Sequence, residues 1–169
     1  IRDLETAQIA IQASLTGHLV FSTLHTNDSA GAVTRLVDMD VAPYLIASTL
    51  EAVLGQRLVR TICKSCKTEY EPTPDILQRL ELTPEQVQGR RFSFGEGCDK
   101  CNKSGYKGRK GIYEYLRISD PIRTLINERR PTLVIREKAR ELGMRTMRED
   151  GVLNILDGNT TVDEVMRYT

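Results

Sequence analysis

The chain has 169 residues, of which 40% are hydrophobic and 28% charged, a balance that predicts a globular protein and excludes a disordered one. Its formal net charge of +1 argues against nucleic acid or an anionic membrane as the main partner. No apolar run approaches the roughly 18 to 20 residues of a membrane-spanning helix, and no signal peptide opens the chain. Because Ile1 already lies in a segment that we expect to be ordered, we interpret the chain as part of a longer protein.

The N-terminal third of the chain alternates between helical and strand-like patterns. The sequence predicts a helix over residues 3–17 and a buried strand over HLVFSTL, residues 18–24. A second helix is predicted over residues 26–39, and a longer one over residues 43–62, which begins with a proline. Helices around a buried strand indicate part of an α/β domain with a parallel sheet.

The C-terminal third is predicted to be one strand followed by helices. GIYEYLRI, residues 111–118, is typical of a strand, and residues 131–143 are typical of a helix. Thr161 and Glu164 form a capping box that predicts the start of the final helix. We therefore expect three segments: residues 1–62 with the α/β pattern, residues 63–111 with the cysteines, and residues 112–169 with a strand and a helical cluster.

The only cysteines of the chain form two CxxC pairs, CKSC and CDKC. They are Cys63, Cys66, Cys98 and Cys101. Two CxxC turns provide the four thiolates of a tetrahedral zinc site, and lysines beside both pairs favour thiolates. Disulfides or a redox pair are the alternatives. A closed shell of four sulfurs makes such a metal structural, and we expect it to replace a core in a segment that looks too polar to bury much.

Polar residues follow the predicted strand at residues 18–24, where the ligands of open parallel sheets usually bind. Within this cluster His25 could bind a phosphate or orient a water molecule, or it could simply cap the strand. His18, at the start of the strand, has a position that suggests a structural role. The sequence contains no GxxxxGK[ST] motif, so these 169 residues alone provide no phosphate-binding loop.

Five stretches of the sequence, taken together, carry a family resemblance. IRDLET resembles the end of a Walker B motif, and GHLVFSTLHTND resembles a His box. QRLVRTICKSCKTEY and CDKCNKSGYKGRKGIYEYL resemble a tetracysteine subdomain, and MRTMREDGVLNILDGNTTVDEVMRYT resembles a set of C-terminal helices. These are features of the secretion ATPase superfamily, the cytoplasmic motors of type II secretion and type IV pilus assembly. Retraction-type members usually lack the cysteines, so the chain resembles the assembly type.

The resemblance implies an α/β fold made of part of a RecA-like parallel-sheet core, a zinc-bound subdomain and a C-terminal helical cluster. It implies that the intact protein is a hexameric cytoplasmic ATPase that uses ATP and Mg²⁺ and works on an inner-membrane platform protein. The Walker A loop and the Walker B Gly-Glu pair would lie upstream, so we expect the chain alone to be inactive.

The family pattern also assigns roles to individual residues. His25 would sense the γ-phosphate, and His18 belongs to the same box. Three residues would lie beside the active site: Arg2, Asp3 and Glu5. For Glu5 the alternative is an acid in the first turn of a helix, matched to the helix dipole. Arg35 and Arg109 match arginines near subunit interfaces, where a guanidinium can stabilise charge on phosphoryl oxygens; an ordinary surface ion pair is the alternative for each.

A zinc-dependent interaction module without a nucleotide role is the competing interpretation. A GxxxxGK[ST] motif upstream in the gene would decide for the motor. Between the two branches, HTND and the closing TTVDEVMRYT favour pilus assembly slightly over secretion. A zinc ribbon that binds nucleic acid is disfavoured by the near-neutral charge and by an aromatic content of only 5%.

Overall fold

The computed structural model describes the whole chain, residues 1–169, and confirms the α/β class and the helical C-terminal end. The helices are α1 (Leu4–Leu15), α2 (Ser29–Asp38), α3 (Pro43–Thr49), α4 (Pro74–Arg79), α5 (Pro84–Val87), α6 (Asp120–Asn127), α7 (Thr132–Glu141), α8 (Met147–Leu156) and α9 (Val162–Tyr168). The strands are β1 (Ala52–Ile62), β2 (Lys67–Tyr70), β3 (Phe92–Gly95) and β4 (Tyr106–Arg117), and a 3₁₀ turn covers Asp99–Cys101. None of the helices has the length and apolar character needed to cross a lipid bilayer.

The strands form two separate two-stranded sheets. β2 and β3 are antiparallel, with Lys67 opposite Gly95 and Tyr70 opposite Phe92. The longer strands β1 and β4 pair in the other sheet. β4 confirms the strand predicted over residues 111–118 and begins earlier than predicted.

The chain forms two compact units that do not follow chain order. Unit 1 contains Ile1–Gly55 and Glu114–Arg145, and unit 2 contains Gln56–Tyr113 and Thr146–Thr169. Each unit therefore includes one part of β1 and one part of β4. These units are defined by packing and not by position along the chain. They therefore do not test the three predicted segments, with boundaries at residues 62 and 111, which stay a prediction.

Unit 1 has its own hydrophobic core. Ala30, Val33 and Leu36 recur at helical spacing along α2 and are buried. Ile46 of α3 and Ile122 of α6 are buried in the same core, which also receives residues of α1 and α7. The α2 helix thus forms because one apolar face is covered while Asp28 caps its first turn.

The strand predicted over residues 18–24 is not present, and this prediction was wrong for the chain as it stands. These residues are assigned to no helix or strand, and Leu19 and Phe21 are 81% and 88% exposed. Apolar, β-branched composition favours a strand only where a partner strand satisfies the backbone groups. No strand of this chain pairs with residues 18–24.

The long helix predicted over residues 43–62 was also wrong in its second half. The helix α3 ends at Thr49, and the chain continues as β1 from Ala52. Within β1, Leu54 and Leu58 are exposed while Val59 is buried, which is the alternation of a strand. Pairing with β4 therefore overrides a weak local helix preference.

Unit 2 contains a second core, contrary to the expectation that the cysteine segment is too polar to form one. Phe92 is fully buried, together with Leu80 and Val87 from the same segment. Ile155 of α8 and Val165 of α9 complete this cluster. This segment therefore has a hydrophobic core in addition to its cysteine cluster.

An ion pair between the buried Glu164 and the exposed Arg60 connects the C-terminal helix of unit 2 to strand β1. The Glu164 carboxylate accepts hydrogen bonds from the backbone N–H of Arg60 at 2.9 Å and from its guanidinium at 2.6 Å. Burial raises the pKa of Glu164, but the hydrogen bonds and the charge of Arg60 outweigh burial, so the net pKa is lowered from its ordinary 4.5. Because the folded-state pKa is depressed, the stabilisation is present above about pH 4.5 and is lost as pH falls through the folded-state value.

This pair makes a prediction about acid stability. We expect the difference in free energy of unfolding between the wild type and Glu164→Gln to shrink as pH is lowered from about 7 to about 3, because protonation makes the wild-type side chain neutral as well. Urea unfolding at several pH values measures that difference. A difference that stays constant over this range would contradict an ionised Glu164 in the folded protein.

Candidate functional site

The four cysteines that the sequence predicts to bind one metal lie together in unit 2. Their sulfur atoms all lie within 4.8 Å of one another. The Sγ atoms of Cys63 and Cys98 are 3.9 Å apart, those of Cys66 and Cys101 3.8 Å, and those of Cys98 and Cys101 3.7 Å. Both CxxC pairs thus contribute to a single cluster.

Each CxxC pair is a tight backbone turn. The Cys66 N–H donates to the carbonyl of Cys63 at 3.2 Å, and the Cys101 N–H donates to the carbonyl of Cys98 at 3.1 Å. The first turn follows directly after β1, and the second contains the 3₁₀ turn that precedes β4. Each turn places both sulfurs of its pair on the same side of the backbone.

The segment after the second turn meets the first turn at Gly105. Gly105 has φ +78° and accepts a hydrogen bond from the Cys63 N–H at 2.9 Å. A Cβ atom at Gly105 would lie 2.4 Å from the carbonyl oxygen of Gly95, so the backbones approach too closely for any side chain. Glycine at this position therefore allows both cysteine turns to meet.

The sulfur spacing fits a tetrahedral metal site. With Zn–S distances of about 2.3 Å, the edges of a regular tetrahedron of sulfurs are about 3.8 Å long. Three of the six separations, at 3.7 to 3.9 Å, match that edge, and they exceed by far the roughly 2.05 Å of a disulfide bond. All four cysteines are free thiols. The cysteines therefore form a candidate metal centre, and the disulfide alternative is not supported.

Local electrostatics differ among the four sulfurs. Burial raises the pKa of the Cys66 thiol to about 12, whereas the Cys98 backbone N–H, 3.1 Å from the Cys101 sulfur, lowers the pKa of Cys101 to about 6. The Cys66 and Cys101 thiols therefore do not ionise together unless a cation compensates their charge. Four exposed lysines flank the turns: Lys64, Lys67, Lys100 and Lys103.

The residues predicted to face a nucleotide lie in unit 1, at the start of α1 and after residue 24. The Arg2 guanidinium lies 3.4 Å from Nε2 of His25, and both side chains are exposed. Asp3 is the N-cap of α1; its carboxylate accepts from the Thr6 N–H at 2.8 Å, and this bond lowers the pKa of Asp3. Glu5 is exposed in the first turn of α1. Arg2 and His25 are thus brought together, while Asp3 has a capping role.

His18 occupies the turn that ends α1. Its Nδ1 atom lies 3.0 Å from the Thr16 hydroxyl and 3.3 Å from the carbonyl oxygen of Ala13. These contacts hold the imidazole against the end of α1, and the role of His18 in a nucleotide site stays a prediction.

The two predicted interface arginines are exposed. Arg35 lies in the last turn of α2 in unit 1, and Arg109 lies in β4 in unit 2. Their exposure is compatible with contact to another subunit, and that contact stays a prediction.

The Asp28 cap of α2 and two contacts that the sequence analysis missed hold the segment after His25. Asp28 accepts from the Gly31 N–H at 2.7 Å as the cap, and its ion pair with Arg136 of α7 is the first missed contact. Glu114 of β4 is buried and accepts hydrogen bonds from the backbone N–H and the hydroxyl of Ser29. The period-2 alternation of β4 places Glu114 on its buried face and was the signal that could have revealed it.

Comparison with known proteins agrees with the sequence motifs. The model of the family described as "Type II/IV secretion system protein" matches residues 1–167. Over the whole chain, the sequence is 50% identical to the type IV pilus assembly ATPase PilB of Thermus thermophilus and 51% identical to the type II secretion system protein HxcR of Pseudomonas aeruginosa. It is 49% identical to the type II secretion system ATPase E of Vibrio cholerae. The chain spans only 19%, 32% and 33% of these three relatives.

Solved structures share the fold. The crystal structure of the pilus retraction motor PilT with bound ADP aligns with the whole chain, at a TM-score of 0.65 and 24% identity, and the aligned part is 37% of that structure. The Legionella pneumophila ATPase DotB aligns with 99% of the chain, at a TM-score of 0.60 and 22% identity, over 36% of its own length. Because the family model covers nearly every residue, the chain belongs to the type II/IV secretion system protein family.

Proposed function

We propose that the chain is part of a cytoplasmic ATPase that powers type IV pilus assembly or type II secretion. The observation that carries the proposal is the sequence identity, 50% and 49% over the whole chain, to relatives named as ATPases of these two machines. The pilus assembly branch is favoured slightly by HTND and by the closing TTVDEVMRYT. The working form is a hexameric ring, in which Arg35 and Arg109 contact a neighbouring subunit.

In this proposal the exposed pair of Arg2 and His25 faces ATP and its Mg²⁺. A guanidinium donating to the imidazole keeps the ring in one orientation, and both groups can then bind phosphate oxygens. Asp3 holds Arg2 at the start of α1 by capping that helix. The phosphate-binding loop is not among these 169 residues, so the chain on its own neither binds ATP tightly nor hydrolyses it.

The four cysteines hold a Zn²⁺ ion in this proposal. When bound, the ion supplies a cross-link between the two CxxC turns and has no open coordination position for catalysis. The zinc-bound region, with its flanking lysines, contacts an inner-membrane platform protein or a neighbouring subunit and so associates the motor peripherally with the membrane. The competing proposal, a zinc-dependent interaction module without a nucleotide role, keeps the same metal and discards the role of His25.

The role of His25 can be tested in a protein that contains both this chain and a phosphate-binding loop. We expect His25→Ala to lower kcat by about 100-fold or more, since it removes a group aimed at the reacting phosphate. The control is Gln12→Ala, an exposed position on α1 outside the Arg2–His25 pair. Steady-state ATP hydrolysis measures both variants, with circular dichroism as the check on folding.

An unchanged kcat in folded His25→Ala protein would reject the nucleotide role and favour the interaction module. For the 169-residue chain alone, titration with a fluorescent ATP analogue is expected to show no binding at micromolar concentrations. Micromolar affinity would contradict the assignment of the phosphate-binding loop to another segment.

A further inference from the structure

The edge of β1 just before the first cysteine turn is covered by the C-terminal segment of unit 2. The Ile62 N–H donates to the carbonyl oxygen of Asn159 at 2.9 Å. The Arg60 carbonyl accepts from the Thr160 hydroxyl at 2.8 Å, and the Arg60 N–H donates to Glu164 at 2.9 Å. Residues 60 and 62 present their backbone groups to the same edge of a strand. The segment therefore stands where a neighbouring strand would otherwise bind.

Side chains reinforce this edge. The Arg60 guanidinium binds the buried Glu164 carboxylate at 2.6 Å and also lies 4.0 Å from the centre of the Tyr106 ring. The Tyr106 hydroxyl lies 2.9 Å from that of Thr161. We call the five residues Arg60, Tyr106, Thr160, Thr161 and Glu164 the clasp. Its members come from β1, from β4, from the segment that leads into α9 and from the first turn of α9.

The clasp lies next to both cysteine turns along the chain. Cys63 directly follows Ile62, which is anchored to Asn159. Tyr106 directly follows Gly105, whose carbonyl accepts from the Cys63 N–H. The clasp therefore fixes the strand that enters the first turn and the strand that leaves the second.

The turn between α8 and α9 also reaches the far side of the first cysteine turn. Gly158 has φ +66°, and a Cβ atom there would lie 2.3 Å from Lys67 Nζ and 3.1 Å from the Ser93 hydroxyl. Lys67 directly follows Cys66 and begins β2. The same C-terminal turn thus contacts the chain on both sides of the first cysteine pair.

We propose that the clasp positions the four cysteines for their metal, so that metal binding and docking of α9 stabilise each other. This inference rests on the proposed zinc site and goes beyond it, because it assigns a metal-positioning role to residues that are not ligands. Docked, the C-terminal segment holds β1 and β4 at the spacing that closes the sulfur tetrahedron. Released, it leaves the edge of β1 uncovered and the two turns free to separate. Linkage then requires that bound metal also strengthen the docking of α9.

The first test compares Glu164→Gln with Asp163→Asn, an exposed neighbour on the same helix. Glutamine offers one acceptor and one donor group to two Arg60 donors, so one hydrogen bond is lost together with the charge. Competition for Zn²⁺ with a chromophoric chelator is expected to show a Kd at least about tenfold weaker for Glu164→Gln and unchanged for Asp163→Asn. Equal Kd values for both variants would overturn the inference.

A second control separates positioning from a general loss of stability. Val165→Ala creates a cavity in the buried core of unit 2 on the same helix without touching the clasp. We expect it to lower the melting temperature of the zinc-bound chain at least as much as Glu164→Gln does, but to weaken zinc binding less. A zinc affinity that simply follows melting temperature across these variants would overturn the positioning role.

A milder pair covers the case in which Glu164→Gln fails to fold. Tyr106→Phe removes only the hydroxyl that faces Thr161, and its control is Tyr115→Phe, at an exposed position of the same strand. Only Tyr106→Phe is expected to release zinc faster to the chelator. Equal release rates in this pair would count against the clasp.

Hydrogen exchange tests the reciprocal effect. Removing zinc from the wild type should increase exchange at the amides of residues 60 and 62 and of α9, while α6 and α7 of unit 1 stay protected. Unchanged protection of α9 would contradict the coupling. A wild type that binds no zinc would reject the proposed metal site itself. A wild type that binds zinc only as tightly as Glu164→Gln would leave the metal site standing and reject the role of the clasp.

Discussion

Replacing Cys63 with serine is expected to abolish tight zinc binding and to remove most of the metal-dependent stability of unit 2. Structural zinc sites contribute on the order of 10 kcal/mol to folding, and a serine hydroxyl is a poor substitute for a thiolate ligand. Cys63 is buried, and its sulfur is 3.9 Å from that of Cys98, so its loss opens the closed shell. Zinc content and thermal unfolding of the purified variant measure the effect.

The matched control is Ser65→Ala, inside the same CxxC turn and exposed. It should keep one zinc ion and the wild-type melting temperature. Hydrogen exchange should place the damage of Cys63→Ser in residues 56–113 and 146–169, which form unit 2. A Cys63→Ser variant that retains zinc with wild-type affinity would contradict the four-sulfur site.

Replacing Phe92 with alanine is expected to lower the free energy of unfolding by about 3 to 5 kcal/mol, even with zinc bound. Phe92 is fully buried among Leu80, Val87 and Ile155, and its ring meets that of Tyr70 edge to face at 6.1 Å. Alanine leaves a cavity that this cluster cannot fill. Chemical denaturation at saturating zinc measures the loss.

The control for Phe92 is two residues along the same strand. Phe94 is 39% exposed and also contacts Tyr70, so Phe94→Ala should cost only about 1 kcal/mol. Equal and small effects of the two substitutions would mean that the metal alone holds this region. That was the expectation from its polar sequence, and the buried cluster argues against it.

Features encoded over a few residues were predictable from the sequence. Each CxxC turn is encoded within four residues, and two such turns predicted one cluster, in which all four sulfurs do converge. The start of α2 is encoded in the same local way, because its cap, Asp28, accepts from the Gly31 N–H only three residues ahead. Only one of the two hydrogen bonds of the predicted Thr161–Glu164 capping box is formed. The Thr161 hydroxyl accepts from the Glu164 N–H at 3.3 Å, but the Glu164 carboxylate binds Arg60 instead of returning to the cap.

Features that depend on distant partners were not predictable in the same way. Arg60 and Glu164 lie 104 residues apart in sequence, and no local pattern indicates their pairing. Residues 52–62 looked helical because Leu, Val and Arg suit either structure, and pairing with β4 decides for the strand. Conversely, residues 18–24 have the composition of a strand but no strand partner in this chain. In each case the missing information lies in what the segment contacts.

X-ray absorption at the zinc edge, together with metal content, is the most direct test of the four-cysteine zinc site. The purified chain is predicted to hold one zinc ion with four sulfur ligands at about 2.3 Å. That result would place the ion between Cys63, Cys66, Cys98 and Cys101, the only thiols of the chain. Zinc bound through oxygen or nitrogen ligands, or a folded chain that binds no zinc when it is supplied in excess, would contradict the account.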